Sequence, residues 1–374
     1  MDFLKTILKV TDNEYASIAE DGIVGGDIAG WIDTGSYSLN ALLSGTIYGG
    51  MASNKITALA GEPSTGKTFI ALDAIKHFLD KDPEARVACF FTEADVSKEL
   101  LEKRGIDSSR VAVFPVETVE DFRTQCMRIL VAYAEIKEED RPPFFLLLDS
   151  LGMLSTIKEM TDIESGSEKR DMTRAALTKG AFRALTLKMG KINIPLLMTN
   201  HIYDVVGSYI PMKKMGGGSG PVYSASQIVF LSKKRAKDGE GKDAEHIGSI
   251  ITCILDKSRF TREKKKVEIL LRFDSGLNRY YGLLDLAEKF GVVKYEVIEG
   301  MRGKKGYTFP NGKVVTDEQE LYGPNAGLYW DKACLDLIDK ACQDEFLYGN
   351  TSLTDVPPEE LSEPTEKEVP KKKK

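Results

Sequence analysis

A glycine-rich segment at residues 61–68 limits what this chain can fold into more than any other feature. It reads G-E-P-S-T-G-K-T, which fits the phosphate-binding pattern G-x-x-x-x-G-K-[ST], and it follows a short apolar run at 56–60. The residues from Lys67 onward are typical of a helix. In such loops glycine permits unusual backbone angles, N–H groups turn inward around an anion, and the helix adds its positive end. The segment therefore predicts a strand, a loop and a helix that bind a nucleoside triphosphate, most simply ATP.

The same segment supplies the predicted ligands of the nucleotide and its metal ion. Lys67 places a cation near the β- and γ-phosphates, and the Thr68 hydroxyl is a Mg²⁺ ligand. Asp149 ends the apolar run 144–148, as the acid of a Walker B strand does, and is the second predicted ligand. ATP and Mg²⁺ are therefore the expected cofactors. The residues predicted to contact the nucleotide are Gly61, Glu62, Pro63, Ser64, Thr65, Gly66, Lys67, Thr68 and Phe69.

Two other polar positions follow apolar runs that predict strands. Glu93 follows the run 87–91, where a carboxylate could position or deprotonate a water molecule near the γ-phosphate. An exposed acid at a strand end is the alternative. His201 follows the run 194–199, at the carboxyl edge of the predicted sheet, where ligands bind. It could sense the γ-phosphate, or it could be a structural histidine.

Composition and apolar patterning constrain the environment of the chain. The 374 residues carry a net charge of −6, which argues only weakly against a nucleic-acid partner because the local patch decides phosphate contacts. The five cysteines lack metal-type spacing, and Cys89 and Cys253 lie in apolar runs that predict buried thiols. No apolar run predicts a membrane span, and residues 1–10 do not resemble a secretory signal. A cytoplasmic location is therefore expected.

Strand and helix patterns alternate between residues 36 and 282. This alternation predicts an α/β fold with a mostly parallel sheet and helices on both faces. The later apolar runs at 227–231, 249–255 and 266–273 have no helical pattern between them, so we expect antiparallel strands at one edge.

We divide the chain into four parts. Residues 1–35 are predicted to form an N-terminal oligomerisation arm and linker, and residues 36–282 the ATPase core. Residues 283–350 predict a small α+β domain with a hairpin at 307–316. The charged tail at 351–374 has a composition that predicts disorder.

Two long polar segments, about 156–169 and 203–220, are predicted loops of the kind that is usually functional. The alternative is that both are mobile solvent loops. In either segment, lysines and glycines could contact a nucleic-acid backbone. The candidate residues are Lys158, Lys169, Lys213, Lys214, Gly216, Gly217 and Gly218. A basic stretch that begins with Lys257 and Arg259 predicts a patch for nucleic acid or for a neighbouring subunit's nucleotide, unless it is a solvated hairpin.

Taken together, these features resemble the RecA-type recombinases, and most closely the UvsX group of tailed bacteriophages. The resemblance runs through residues 36–290. Its most specific stretches are L-D-S-L-G at 148–152, D-M-T-R at 171–174, T-N-H at 199–201, M-G-G-G-S-G-P-V-Y-S-A at 215–225 and Y-G-L-L-D at 281–285.

The resemblance implies a role for each matching position. Glu93 matches the catalytic glutamate, and His201 matches a γ-phosphate sensor that couples ATP to the second DNA-binding loop. Residues 156–168 and 203–219 match the two DNA-binding loops. Lys257 and Arg259 match basic residues that reach the ATP of a neighbouring subunit. One departure is Leu100, which stands where the family has an aromatic residue near adenine.

The resemblance also implies an activity and its partners. These are DNA-dependent ATP hydrolysis, a homo-oligomeric filament on single-stranded DNA, and pairing with homologous duplex DNA. Recombination mediators and single-strand-binding proteins are further implied partners. A hexameric helicase of the same fold and a non-catalytic, ATP-switched DNA-coating protein are the alternatives. Glu93 favours a catalytic protein.

Overall fold

The computed structural model describes residues 3–13, 15–166, 172–204, 213–238, 244–299 and 303–349. The candidate DNA contact Lys169 lies outside the described residues. So do the tail predicted to be disordered, 351–374, and residues 205–212 of the second predicted DNA-binding loop.

Strands and helices alternate between residues 56 and 149, and several strands follow one another later in the chain. The described helices are α1 (Phe3–Val10), α2 (Tyr37–Ser44), α3 (Lys67–Lys81), α4 (Lys98–Lys103), α5 (Val119–Glu135), α6 (Ile157–Glu164), α7 (Arg174–Lys191), α8 (Ser219–Ser224), α9 (Leu283–Lys289) and α10 (Lys332–Phe346). The described strands are β1 (Trp31–Ile32), β2 (Met51–Ala52), β3 (Ile56–Gly61), β4 (Arg86–Phe91), β5 (Val111–Pro115), β6 (Phe144–Asp149), β7 (Leu196–Asn200), β8 (Ile202–Asp204), β9 (Lys213–Met215), β10 (Gln227–Asp238), β11 (Glu245–Ser258), β12 (Lys266–Arg272), β13 (Gly276–Leu277), β14 (Lys294–Val297), β15 (Lys305–Thr308) and β16 (Val314–Val315).

Nine strands form one sheet in the order β13-β12-β11-β10-β3-β7-β6-β4-β5. The six strands from β10 to β5 are parallel, which confirms the predicted α/β fold. The prediction for the later strands was partly wrong, because β10 runs parallel to β3 and only β11 to β13 are antiparallel additions. The short helix α8 lies in the crossover between the parallel strands β7 and β10. Its six residues include Gly220 and Pro221, so no helical pattern revealed it.

The sheet separates two hydrophobic cores. In β6, Phe145 and Leu147 face the core that contains α2 and α3, whereas Leu146 and Leu148 face the core that contains α5 and α7. This alternation follows from the two-residue period of a strand, and burial on both faces explains the continuous apolar runs. Each such buried side chain contributes about 1.5–3 kcal/mol. The sheet is therefore a rigid support for the loops at its carboxyl edge.

The first predicted DNA-binding loop is helical over much of its length. Residues 157–164 form α6, and Thr156 caps it by accepting a 3.0 Å hydrogen bond from the backbone N–H of Glu159. The interpretation of residues 156–164 as a loop was therefore wrong. The T-x-x-E spacing is a capping-box pattern, which is typical of the start of a helix. The polar composition of the segment favoured a loop instead.

The ends of the described chain pack on the core that contains α2. Strand β1 pairs with β2, and Ile32 is buried in the same core as Trp330 and Phe346. The hairpin predicted at 307–316 is confirmed as β15 and β16. In contrast, α1 has no buried residue. The division of the chain into domains remains a prediction.

Candidate functional site

The phosphate-loop motif forms the predicted strand, loop and helix. Strand β3 ends at Gly61 and α3 begins at Lys67. Gly66 has φ +89°, and a Cβ there would lie 3.0 Å from the Ile251 and Leu271 side chains. A larger residue would therefore meet both backbone strain and crowding at this position. The N-terminus of α3 points its N–H groups and positive dipole end into the loop, as anion binding requires.

Lys67 lies inside this loop and is 7% exposed. Its Nζ donates to the backbone carbonyl oxygens of Gly61 at 3.0 Å and Glu62 at 2.9 Å. Burial lowers the pKa of Lys67 below its usual value, while the nearby charges of Asp149 and Glu93 act in the opposite direction. The predicted phosphate-binding cation is thus close to both predicted carboxylates.

Asp149, at the end of β6, is held by two hydroxyl groups. Thr68 Oγ1 donates to Asp149 Oδ2 at 2.7 Å, and the Thr199 hydroxyl donates to Asp149 Oδ1. A hydroxyl and a carboxylate are the oxygen ligands that Mg²⁺ accepts, with substrate phosphates and water completing the coordination shell. Among the described residues no group of three or more His, Cys, Asp or Glu side chains could hold a metal ion. The residues present therefore fit a Mg²⁺ ion that is shared with a triphosphate.

Glu93 and His201 meet at the same edge of the sheet. The strand order places the carboxyl ends of β3, β7, β6 and β4 side by side. Glu93 Oε1 lies 4.0 Å from His201 Nε2 and 3.5 Å from Ser150 Oγ. A Cβ on Gly152 would lie 2.9 Å from the His201 ring, so the imidazole is confined on its other side. The predicted base and the predicted sensor are thus brought into one cluster.

Asn200 connects this cluster to the second predicted DNA-binding segment. The buried Asn200 side chain accepts from the His201 N–H at 2.8 Å and donates to the Gly216 carbonyl at 2.9 Å. The Gly216 N–H donates to the His201 carbonyl at 3.0 Å. Strands β8 and β9 pair as an antiparallel hairpin directly beyond these bonds. Hydrogen bonds therefore connect His201 and Asn200 to Gly216, the residue that follows β9.

The predicted DNA-contact residues within the described segments lie on or near this hairpin and on α6. Lys158 is exposed on α6, and Lys213 and Lys214 are exposed on β9. A cavity of about 640 Å³ between the hairpin and α8 is lined by Lys213, Lys214, Tyr203 and Tyr223. Both tyrosines are more than half exposed. Sequence reasoning missed these two rings, which no local pattern distinguishes from other surface aromatics.

Two lysines also contact the outside of the phosphate loop. Lys213 forms an ion pair with the Glu62 carboxylate. Lys233, on β10, donates from Nζ to the Ser64 carbonyl at 2.5 Å. Ser64 has φ +58°, an uncommon conformation for a residue with a side chain. Sequence reasoning missed both contacts, because the partners are distant along the chain.

Lys257 and Arg259 contact the C-terminus of α8 instead of their own phosphate loop. Lys257 Nζ donates to the Val222 carbonyl at 2.7 Å and the Ala225 carbonyl at 2.6 Å, and Arg259 Nη2 donates to the Tyr223 carbonyl at 3.1 Å. Burial, and then the charge of Arg259, lowers the pKa of Lys257.

The strand register places this pair away from the phosphate loop. Lys257 pairs with Ile228, and Ile228 pairs with Ala58. Ala58 precedes Gly61 by three residues, which is about 10 Å along a strand. Lys257 therefore lies toward the amino ends of the parallel strands, while the phosphate loop lies at their carboxyl ends.

Phe69, predicted to contact the nucleotide, and Leu100, in the place of the family's aromatic residue, both lie on the surface of the core that contains α2 and α3. The Arg104 guanidinium stacks on the Phe69 ring at 4.2 Å, and Leu100 packs partly buried against the hydrophobic core.

Among the described residues, no helix combines the length and the hydropathy needed to cross a membrane. The five cysteines all lie in described segments as buried free thiols, as predicted for Cys89 and Cys253.

The phosphate loop follows the central strand β3 of a mostly parallel sheet, and Asp149 ends β6, two strands away from β3. This arrangement defines a P-loop nucleotide-binding protein with a RecA-type core. No model of a known protein family matches the chain. The recombination and repair protein of Enterobacteria phage T4 is 33% identical over 255 residues, which cover 68% of this chain and 62% of that protein.

Two bacterial RecA proteins match more distantly. Protein RecA of Chloroherpeton thalassium is 26% identical over 266 residues, or 70% of this chain and 69% of that protein. Protein RecA of Methylobacterium radiotolerans is 24% identical over 315 residues, which cover 80% of this chain and 81% of that protein. The chain is therefore similar to RecA proteins and to a phage recombination and repair protein. Its match spans less than two thirds of the length of the phage T4 protein.

Proposed function

We propose that this protein is an ATP-dependent recombinase that forms filaments on single-stranded DNA and pairs it with homologous duplex DNA. One observation carries the proposal. The phosphate loop, Asp149, Glu93 and His201 converge at one edge of the sheet, and Asn200 joins that edge to the β8–β9 hairpin. The relatives, a phage recombination and repair protein and bacterial RecA proteins, support the same activity.

Each residue of the cluster has a role in ATP hydrolysis. Lys67 binds the β- and γ-phosphates, and Thr68 and Asp149 hold Mg²⁺, which when bound offsets the negative charge of the phosphates. Glu93 orients a water molecule and accepts its proton, since its carboxylate projects from the neighbouring strand end. Positioning and charge stabilisation supply most of the catalysis in phosphoryl transfer.

The cluster also controls the binding and release of DNA. His201 lies beside Glu93, so it can respond to the γ-phosphate and pass a displacement through Asn200 and Gly216 to the hairpin. Lys158, Lys213 and Lys214 contact the DNA backbone, as does Lys169. Tyr203 and Tyr223 line the neighbouring cavity and can stack on bases. Loss of the γ-phosphate then releases the DNA, as in other switches of this kind.

Lys257 and Arg259 complete the ATP site of an adjacent subunit in the filament. Both residues are distant from the phosphate loop of their own chain. The phosphate groups that they bind therefore belong to the ATP of a neighbouring subunit. Recombination mediators and single-strand-binding proteins are proposed partners, and the cytoplasm, of the host if the chain is of phage origin, is the proposed location.

The proposal is tested by strand exchange and ATP hydrolysis with three variants. Lys67→Ala should lower DNA-stimulated ATP hydrolysis by about 10²–10³-fold, since it removes charge stabilisation of the transferring phosphoryl group. Glu93→Gln should hydrolyse little ATP yet keep its filaments, because an amide preserves shape but accepts no proton. Lys76→Ala, which alters a partly exposed lysine on the same helix, is the control and should behave as wild type.

Electron microscopy and duplex unwinding separate the alternatives. The proposal expects filaments of variable length on single-stranded DNA and joint molecules with homologous duplex. Closed rings with unwinding would identify a helicase. DNA coating without DNA-stimulated hydrolysis would identify a non-catalytic protein, and either result would contradict the proposal.

A further inference from the structure

One contact joins the phosphate loop directly to the hairpin without passing through His201. Glu62, the second residue of the motif, accepts a hydrogen bond from Lys213 on β9, 151 residues away in sequence. The hydrogen bond and charge of Lys213 lower the pKa of the Glu62 carboxyl, so this carboxyl is ionised at neutral pH. Both side chains remain substantially exposed, at 62% and 46%. The contact therefore lies at the surface, where a phosphate can compete for the lysine.

The hairpin directs only one of its two lysines to Glu62. Tyr203 pairs with Lys214 across the hairpin, and Gly216 is bonded to both His201 and Asn200. These bonds fix the register of β9. Successive side chains of a strand point to opposite faces, so Lys213 and Lys214 differ in direction. Lys214 is thus a matched neighbour that shares the strand and the charge.

We propose that Glu62 is a positioning residue that holds Lys213 away from DNA and releases it when a nucleoside triphosphate enters the phosphate loop. The proposal rests on the function proposed above. A triphosphate places several negative charges next to the Glu62 carboxylate, and like-charge repulsion then favours a displaced position of this exposed side chain, in which it no longer reaches Lys213. An exposed ion pair is weak, so the nearby multivalent anion can overcome it. Lys213 then contacts a DNA phosphate.

This link is separate from the route through His201 and Asn200. That route begins at the γ-phosphate side of the site, beside Glu93, and moves backbone groups of the hairpin. The Glu62 link begins at the first turn of the loop and frees a single side chain. The two can therefore be separated by substitution.

The test measures single-stranded DNA affinity without nucleotide and with a non-hydrolysable ATP analogue plus Mg²⁺, over a salt series. Glu62→Gln should tighten nucleotide-free binding about two- to fivefold, the range expected for an exposed pair. It should also increase the magnitude of the log K against log salt slope by about 0.7, the value for one extra phosphate contact on a single strand. With the analogue, wild type and Glu62→Gln should have the same slope.

The controls decide whether Lys213 carries the effect. In a Lys213→Gln background, Glu62→Gln should change nucleotide-free binding no further. In a Lys214→Gln background, it should still tighten binding. The proposal is overturned if Glu62→Gln leaves nucleotide-free binding unchanged, or if it tightens binding equally without Lys213, which would indicate only a change of net charge.

Failure of this inference differs from failure of the proposed function. If wild type binds DNA in response to the analogue but Glu62→Gln has no effect, only the inference fails. If wild type binds no single-stranded DNA in either state, the proposed function fails as well.

Discussion

At the scale of single residues, two hydrogen bonds determine the orientation of the Asp149 carboxylate. Its two carboxylate oxygens accept hydrogen bonds from hydroxyls on different elements, Thr68 on α3 and Thr199 on β7. A carboxylate with both oxygens occupied keeps one orientation. Partners that orient a metal ligand affect metal affinity even though they do not touch the metal.

Thr199→Val should therefore weaken Mg²⁺ use while preserving side-chain volume. We expect the Mg²⁺ concentration for half-maximal ATP hydrolysis to rise about 10–100-fold, as for other residues that orient a metal ligand. Mg²⁺ titrations of the ATPase rate measure this effect. Thr57→Val is the matched control, since this buried threonine on β3 has a hydroxyl without a hydrogen-bond partner among the described residues. Equal Mg²⁺ dependence in both variants would contradict the role of Thr199.

At the scale of elements, α8 links two regions with proposed roles. Its N-terminus follows the glycines of the hairpin segment, and its C-terminus is capped by Lys257 and Arg259. Cations at a helix C-terminus interact favourably with the carbonyl groups and the helix dipole. The same two cations are proposed to bind a neighbour's ATP, so a purely structural capping role is the competing interpretation.

A mixing experiment separates these interpretations. Subunits with Lys257→Ala and Arg259→Ala keep their phosphate loop, and Lys67→Ala subunits keep the basic pair. Neither should hydrolyse ATP alone, because each site lacks one half. Mixed filaments should regain ATPase activity at junctions where an intact loop faces an intact pair, since a late-arriving cation stabilises the transferring phosphoryl group.

The control for the mixing experiment is Lys264→Ala, which removes charge from the same basic stretch. This variant should keep its ATPase activity without mixing. Loss of activity would indicate that the general positive charge of the stretch matters, and not Lys257 and Arg259 in particular. If mixing restores no activity although both proteins bind DNA and co-assemble, the basic pair does not act on a neighbouring subunit.

At the scale of the whole molecule, an ion pair joins the segment before the predicted core to the last residues of that core. Arg279 Nη1 lies 2.6 Å from both oxygens of Asp33, and each side chain is less than a third exposed. Burial by itself would raise the pKa of Asp33. The hydrogen bonds and the charge of Arg279 lower the pKa of Asp33, as do hydrogen bonds from Asn40 and Gly35. Together they outweigh burial and hold this pKa below its usual value.

Asp33→Asn should lower the free energy of unfolding by about 1–3 kcal/mol at neutral pH, the range for a hydrogen bond to a charged group. The folded pKa lies below the unfolded value of about 3.9, so the contribution is complete above pH ~4 and is lost as the pH falls through the folded pKa. Urea unfolding of wild type and variant from pH 7 to 3 should show a constant difference that narrows only at the acidic end. Asp80→Asn, which removes an exposed pair, should change stability much less. A difference that narrows between pH 7 and 5 would contradict the assignment.

The amino-acid sequence alone was sufficient wherever the signal is local. The phosphate loop, its strand and α3 lie within one short segment, and the apolar runs of β4, β6 and β7 are explained by burial on both faces. Local signals failed at α6, where polar composition concealed a capped helix, and at α8, where Gly220 and Pro221 concealed the crossover.

Only the tertiary structure decided which of these elements meet. Thr199 and Asp149 are 50 residues apart, and Glu62 and Lys213 are 151 apart. The contact between Glu93 and His201 depends on the strand order β3-β7-β6-β4, which differs from the order along the chain. A side chain's own sequence neighbourhood carries no information about such a partner, because packing of the whole sheet determines which strand ends lie side by side.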